Sequence, residues 1–230
     1  MRLLSAFGTV VLIAGLCWCA QEQSPPNPSV KETPSNEVKG IPPRAAPTDY
    51  QAQAAAGAVT VGAEFIGHSI PTPDGSTYTN EEYVAVETGL FGPSGARLKI
   101  SSGDFSLHVY AKKMTSLPSQ PFGMVFRSLK DPVWEDSAAV EAKAKSNSNT
   151  SVSTGGKAGE KEPVAPARMP IELQRAMQQR VQKTALPEGD RALPQAGLIF
   201  FPYHGKVKGI RSMELVYAGP AGTATLTLQP

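Results

Sequence analysis

The sequence predicts a mostly β protein, an antiparallel β-sandwich with one amphipathic helix and two disordered segments. Three observations lead to this prediction. About eight short stretches alternate apolar with polar residues and are separated by Gly- and Pro-containing turns. A single stretch, residues 171–185, has helical spacing instead. Two further stretches, residues 21–57 and 137–168, are too polar or proline-rich to build a core.

Residues 1–20 have the three-part pattern of a secretory signal peptide. Arg2 gives a positive start, the run from Ala6 to Leu16 is apolar apart from one threonine, and small residues follow. We expect cleavage near residue 20; lipidation at Cys17 or Cys19 and a retained anchor remain alternatives. The two cysteines of the chain both lie in this segment. A cleaved chain would therefore contain no thiol and no disulfide.

Residues 21–57 predict a disordered, proline-rich tether, because they hold seven prolines and one aromatic residue, Tyr50. Such a segment cannot bury enough apolar surface to offset its ordering entropy. Residues 137–168 lack aromatic residues and are rich in Ser, Ala, Lys and Gly. They predict a second disordered segment, a long loop inside the folded part.

The remaining residues, within 58–230, predict a single β-sandwich domain whose two halves flank that loop. The total length suits one core, whereas two separate domains would each be marginal. The stretches with strand patterns are Val59–Phe65, Glu82–Leu90, Leu98–Ile100, Phe105–Val109, Gly197–Phe201, Ile210–Tyr217 and Thr223–Leu228, with a weaker one at Phe122–Phe126. The continuous apolar run Gly197–Phe201 is typical of a central strand.

The helix is predicted at residues 171–185. Leu173, Met177, Val181 and Ala185 recur every four residues and form one apolar stripe. Pro170 suits the first turn, and a proline and a glycine follow the last apolar residue. We expect this helix to cover an edge or an open end of the sandwich.

Several of these stretches resemble the immunoglobulin-like domains of exported bacterial envelope proteins. The resemblance rests on Glu82–Val86, a strand of alternating valines, and on the downstream Ser102–Leu107 with its D-F-x-L pattern. A signal peptide, a proline-rich tether and a closing series of L-I-F-F-P-Y, M-E-L-V-Y and A-T-L-T-L strands complete it. It implies an immunoglobulin-like sandwich; the helix and the charged loop depart from that pattern, and no functional residue is implied.

No catalytic, cofactor-binding or metal-ligating residue is predicted. The three histidines, His68, His108 and His204, do not share a ligand spacing, and no G-x-S-x-G elbow or phosphate loop is present. Paired carboxylates meet in space rather than in sequence, so a glycan-acting hydrolase remains an alternative. Its candidate aspartates all lie in or beside turns, where aspartate also satisfies its own backbone: Asp74, Asp104, Asp131, Asp136 and Asp190.

The charge pattern favours local rather than global binding. The chain has 22 basic and 20 acidic residues, a net charge of +2, which does not suit nucleic-acid binding by charge alone. Basic residues with tyrosines beside them recur at two predicted turns. They form a candidate ligand-contact surface made of Lys112, Lys113, Tyr203, His204, Lys206, Lys208 and Arg211. If these turns share one end of the sandwich, they suit an anionic glycan or lipid headgroups; solvated turns are the simpler interpretation.

Together these features predict an exported, non-catalytic binding or structural domain of the bacterial cell envelope, periplasmic or extracellular. The expected partner is an envelope protein or a glycan, and the protein is expected to be monomeric, without a transmembrane span after signal cleavage. Two alternatives remain. One is the hydrolase with paired carboxylates, and the other is an assembly subunit of a secretion or surface apparatus that pairs through an edge strand.

Overall fold

Two four-stranded antiparallel sheets form the centre of the fold in a computed structural model, which describes residues 40–135, 137–139 and 168–230. The first sheet consists of β1 (Ala52–Ala56), β2 (Val59–Gly67), β5 (Tyr83–Phe91) and β11 (Gln195–Pro202), in that order. The second consists of β13 (Gly222–Leu228), β12 (Ser212–Gly219), β7 (Phe105–Tyr110) and β8 (Met114–Pro118), in that order.

Two smaller sheets, two helices and a further helical stretch at residues 132–135 and 137–139 complete the described structure. One small sheet has the order β3 (Ser69–Pro71), β4 (Thr77–Asn80) and β9 (Leu129–Lys130), and the other pairs β6 (Arg97–Ile100) with β10 (Gly189–Ala192). The helices are α1 (Phe122–Val125) and α2 (Ile171–Thr184). The described residues thus contain 13 strands in four antiparallel sheets, which confirms the mostly β prediction with more strands than expected.

The main core lies between the two four-stranded sheets. Successive side chains of a strand point to opposite faces, so alternate residues of the inner strands, such as Phe105, Leu107 and Val109 of β7, enter this core. Its fully buried members include Val61 and Val86 from the first sheet and Leu107, Leu215 and Leu226 from the second. The period-two pattern of the sequence therefore places these residues correctly.

A second core covers the outer face of the first sheet. Leu198 and Phe200 of β11 point away from the main core and pack with Met177 and Val181 of α2. The extent of α2 matches the predicted helix, and the helix lies on the outer face of the sheet against its edge strand, β11. The run Leu198–Phe201 is apolar on both faces of its strand, so the sheet needs a cover on each side, and the helix supplies one.

Part of the predicted tether is ordered, which corrects its boundary at residue 57. Strand β1 pairs with β2, Ile41 bridges to Ala196 of β11, and Tyr50 is only 6% exposed. Tyr50 lies over Gly62 and Gly89, which face each other across β2 and β5 and leave room for its ring. This aromatic docking site offsets the ordering entropy of the segment.

The strand predicted at Phe122–Phe126 is wrong, because these residues form helix α1 and the start of a 3-10 turn at Phe126–Ser128. Helical spacing puts Phe122 and Phe126 on one face, and their ring centroids are 6.4 Å apart. Phe122 also contacts Phe200, with a centroid distance of 6.2 Å. Apolar residues four apart fit a helix as well as a strand, and contact with β11 decides between the two here.

Three predicted segments fall wholly or largely outside the described residues. They are the signal peptide at 1–20, the tether up to residue 39, and residues 140–167 of the predicted loop. Residues 137–139 are helical, as are residues 132–135, so the loop prediction starts too early. Within the described residues, no helix has both the length and the apolar character that a membrane crossing requires.

Candidate functional site

The two basic turns predicted from the sequence meet at one end of the second sheet. Lys112 and Lys113 form the turn between β7 and β8, directly after Tyr110. The backbone N–H of Arg211 donates to the carbonyl of Tyr110 at 2.8 Å. Lys206 and Lys208 belong to the turn that leads into Arg211, a 3-10 turn at Val207–Gly209. We call these five cations (Lys112, Lys113, Lys206, Lys208 and Arg211) the basic end.

All five side chains of the basic end lie in exposed residues, and none forms an ion pair with another residue of the described structure. Two acidic residues are close in the fold. Glu214 of β12 lies opposite His108 and accepts a hydrogen bond from the Tyr110 hydroxyl at 2.8 Å. This bond raises the pKa of Tyr110. Glu82 is exposed, and its carbonyl accepts from the N–H of Tyr203.

The two remaining residues of the predicted contact surface have different surroundings. Tyr203 packs against the main core, and its ring stacks on His68 at a centroid distance of 6.4 Å. His204 is exposed. The structure therefore brings the five cations to one end, with His204 in the same turn, while Tyr203 is largely a packing residue.

His68 fixes the base of the turn that carries the late cations. Its Nδ1 lies 2.7 Å from the carbonyl oxygen of Asn80 and 2.9 Å from that of Tyr83, and its Nε2 lies 3.0 Å from the carbonyl oxygen of Gly205. The ring thus ties the segment after β2 to the turn after β11. The sequence contains no local signal for this role, because the three carbonyls come from distant parts of the chain.

A groove between α1, α2 and β11 is a second candidate site, which the sequence analysis missed. Two adjoining cavities of about 270 and 370 Å³ share Phe122 and Gln182 in their walls. The residues that define this groove are Gln120, Phe122, Phe126, Gln178, Gln179 and Gln182, and we call it the glutamine groove. From the sequence alone, the glutamines of α2 belong to the solvent-exposed polar face of a helix. Only the tertiary structure brings the phenylalanines beside them.

Three of the candidate carboxylates, Asp74, Asp131 and Asp190, are held by local contacts. Asp74 accepts from the Thr72 hydroxyl, which lowers its pKa, and it pairs with Arg180 at 3.1 Å. Asp190 pairs with Arg97 at 3.1 Å, and Asp131 accepts from the N–H groups of residues 133 and 134.

Asp104 and Asp136 complete the set of candidate carboxylates. Burial raises the pKa of Asp104, whereas Asp136 lies outside the described residues. In the described part of the chain, no group of three or more His, Cys, Asp or Glu side chains is arranged to hold a metal ion. The aspartates that the structure describes in ion pairs and turns are thus engaged in ways that stabilise the fold.

Comparison of the chain with family models, with curated proteins and with solved structures finds no match in any of the three. The chemistry of the basic end and of the glutamine groove therefore follows from their own residues. The basic end offers positive charge to a ligand, and the groove offers amide groups beside aromatic rings.

Proposed function

We propose that the protein is an exported, non-catalytic binding domain of the bacterial cell envelope, and that its basic end binds an anionic glycan. The observation that carries this proposal is the meeting of five exposed cations without ion pairs at one end of the second sheet. Positive side chains from two turns can engage more anionic groups of one polymer at once than those of a single turn.

The charge distribution supports a local rather than a global attraction. The whole chain carries a net charge of only +2, so most of its surface does not attract polyanions. Exposed charges interact within about 8–10 Å at physiological salt, so only cations that lie together act on the same segment of a ligand. In the basic end, the 2.8 Å hydrogen bond from the N–H of Arg211 to the carbonyl of Tyr110 brings the two cationic turns next to each other.

Export, the envelope location and the immunoglobulin-like arrangement are parts of the same proposal. The signal-peptide pattern of residues 1–20 and the proline-rich residues that follow support export and a tether. The two packed antiparallel sheets support a sandwich of immunoglobulin type. The chain is proposed to act as a monomer that engages an envelope glycan rather than nucleic acid.

A second candidate function is strand pairing with an assembly partner, which the position of β8 favours. β8 is the last strand of its sheet, and no described strand pairs with its outer side. However, lysines precede it and Pro118 ends it. Edge lysines and prolines are features that oppose strand addition, so glycan binding is the better supported function.

The test compares the binding of full-length protein to immobilised alginate, an anionic polysaccharide, before and after removal of three cations. The triple variant Lys206→Ser, Lys208→Ser, Arg211→Ser should lose about tenfold or more in affinity, since each exposed charge contributes roughly 0.5–1 kcal/mol.

The matched control changes three other exposed cations, Lys99, Lys183 and Arg127, to serine. It removes the same charge and should retain wild-type affinity. Equal losses in both variants would show diffuse attraction and contradict the proposal. Binding to vesicles of anionic lipid without binding to alginate would reassign the basic end to a membrane surface.

A further inference from the structure

The glutamine groove contains polar groups whose hydrogen-bonding capacity is unused. The side-chain amides of Gln120, Gln178, Gln179 and Gln182 form no hydrogen bond with any residue in the described ranges. Each amide has two N–H donors and an oxygen acceptor. Three of the four residues, Gln120, Gln178 and Gln182, are half-buried, and Gln179 is exposed, so these groups line an open groove from which a ligand can reach them.

Aromatic rings lie directly beside these amides. Phe122 is half-buried at the centre of the groove, 6.2 Å from Phe200 and 6.4 Å from Phe126 between ring centroids. Helix α1 holds Phe122 and Phe126 on the side that faces α2, and β11 fixes Phe200 behind them. The groove therefore combines a rigid apolar surface with several convergent polar groups, which is the composition of small-ligand sites.

An extended peptide does not fit these surroundings well, and their charged groups do not favour a charged ligand. The carbonyls of residues 196, 198 and 200 in β11 already accept hydrogen bonds from the N–H groups of residues 41, 186 and 120, so they cannot accept from an added strand. Charged side chains of both signs line the two cavities, namely Glu188, Arg191 and Arg175. Each has a partner in the fold: the Glu188 carboxylate accepts from Ser102, Arg191 donates to the Glu188 carbonyl, and Arg175 pairs with Glu172. The groups left to bind a ligand are therefore the neutral amides, which suit an uncharged ligand rich in donors and acceptors.

We propose that the glutamine groove binds a neutral oligosaccharide. A pyranose ring has a face of C–H groups that can lie on Phe122 and a rim of hydroxyls that can pair with the amides of Gln178 and Gln182. Hydroxyls and amides both donate and accept, so the match requires no charge. The two adjoining cavities, about 270 and 370 Å³, lie within or near the size range of small-ligand pockets. The inference does not depend on the basic end.

Nuclear magnetic resonance of the full-length, ¹⁵N-labelled protein tests the proposal directly, with tetra-N-acetylchitotetraose and cellotetraose as probes. The side-chain amide signals of Gln178 and Gln182 should shift with at least one probe, while the signal of Gln174 stays in place. Gln174 is an exposed residue of the same helix that lines a different cavity. The proposal is overturned if neither probe shifts the two groove signals.

A pair of variants separates binding from folding. The double variant Gln178→Ala, Gln182→Ala should weaken probe binding about tenfold, whereas Gln174→Ala, the matched control, should leave it unchanged. The triple variant of the basic end should also leave it unchanged, so loss of alginate binding and loss of probe binding are distinguishable. A synthetic peptide of residues 22–39 serves as the competing occupant. If only this peptide shifts the groove signals, the site binds peptide and the proposal is wrong.

Discussion

Arg44 should be the main attachment of the ordered segment that precedes β1. Its guanidinium donates to both carboxylate oxygens of Glu87 at 3.0 and 2.8 Å, pairs with Glu64, and lies 4.5 Å from the centre of the Tyr50 ring. The carboxylates of Glu87 and Glu64 hold the pKa of Arg44 above its usual value. Its charge is thus permanent, and replacing it tests the attachment without a change of pH.

The substitution Arg44→Met should lower the free energy of unfolding by about 2 kcal/mol. Loss of one partner costs roughly 3–5 kcal/mol in a buried ion pair and roughly 0–1 kcal/mol in an exposed one. The side chain of Glu87 is 13% exposed and that of Arg44 is 29% exposed, so this pair lies between the two limits. Most of the cost comes from leaving Glu87 half-buried without its cation. Adding Glu87→Gln should therefore recover about half of the loss.

Urea denaturation of the full-length protein measures these values, and hydrogen exchange reports on the segment itself. The N–H of Ile41 donates to the carbonyl of Ala196 at 3.1 Å, so its exchange should accelerate in Arg44→Met while amides of the second sheet are unaffected. A loss below about 0.5 kcal/mol with unchanged exchange at Ile41 would refute the argument, because an exposed pair behaves in that way.

Three further predictions concern buried groups. The hydroxyl of Thr88 is buried in β5 without a hydrogen-bond partner among the described residues. Thr88→Val should therefore raise the free energy of unfolding by about 1 kcal/mol. A loss of stability would contradict the prediction that this hydroxyl is unfavourable where it lies. Gly89→Ala should destabilise by roughly 1–3 kcal/mol in urea denaturation, because its methyl group would meet the ring of Tyr50 at 2.7 Å; an unchanged midpoint would show that Tyr50 moves freely. Burial raises the pKa of Tyr50 and Tyr217 above 10.0. The stability that this shift contributes is present below pH 10 and is lost as the pH rises through the raised pKa values. Absorbance at 295 nm should therefore show that part of the tyrosine ionisation occurs at higher pH in the folded protein than in the urea-unfolded protein. The same single transition in both states would contradict this prediction.

The sequence predicts the strands of the main core well, because the face of each strand that points away from this core is exposed to solvent or packs against other residues. Phe105–Val109 alternates cleanly, and the structure places it in β7 with the expected side chains buried. The sequence predicts the run Gly197–Phe201 less well. Its continuous apolar pattern indicates a central strand, whereas β11 is last in its sheet. Single bridges to Ile41, Ala185 and Gln120 cover its outer edge, and such long-range bridges have no local sequence signal.

The outer face of the first sheet could not be predicted, since it depends on small residues in facing strands. Gly62 and Gly89 look like weak points of two strands, yet their register places them opposite each other under Tyr50. For the same reason the tether is predicted to extend too far. A single aromatic residue in a proline-rich segment indicates order only when its docking site is known.

The two candidate sites differ in how far the sequence reveals them. The cations of the basic end are visible in the sequence, and only their meeting required the register of β7 and β12, which places Tyr110 beside Arg211 and Ser212. The glutamine groove is not visible, because Phe122 fits a strand pattern as well as a helical turn and its neighbours from α2 lie more than 50 residues away in the chain. Surface clusters of this kind depend on topology rather than on local pattern.

The most direct test of the proposed function is to map where an anionic oligosaccharide binds. Titration of the full-length, ¹⁵N-labelled protein with an alginate hexasaccharide should shift the backbone amide signals of Lys112, Lys113, Lys208 and Arg211 together, and added salt should reverse the shifts. Signals of Lys99 and Lys183, exposed cations outside the basic end, should not move. Shifts spread evenly over all exposed cations, or none at the basic end, would contradict the proposal.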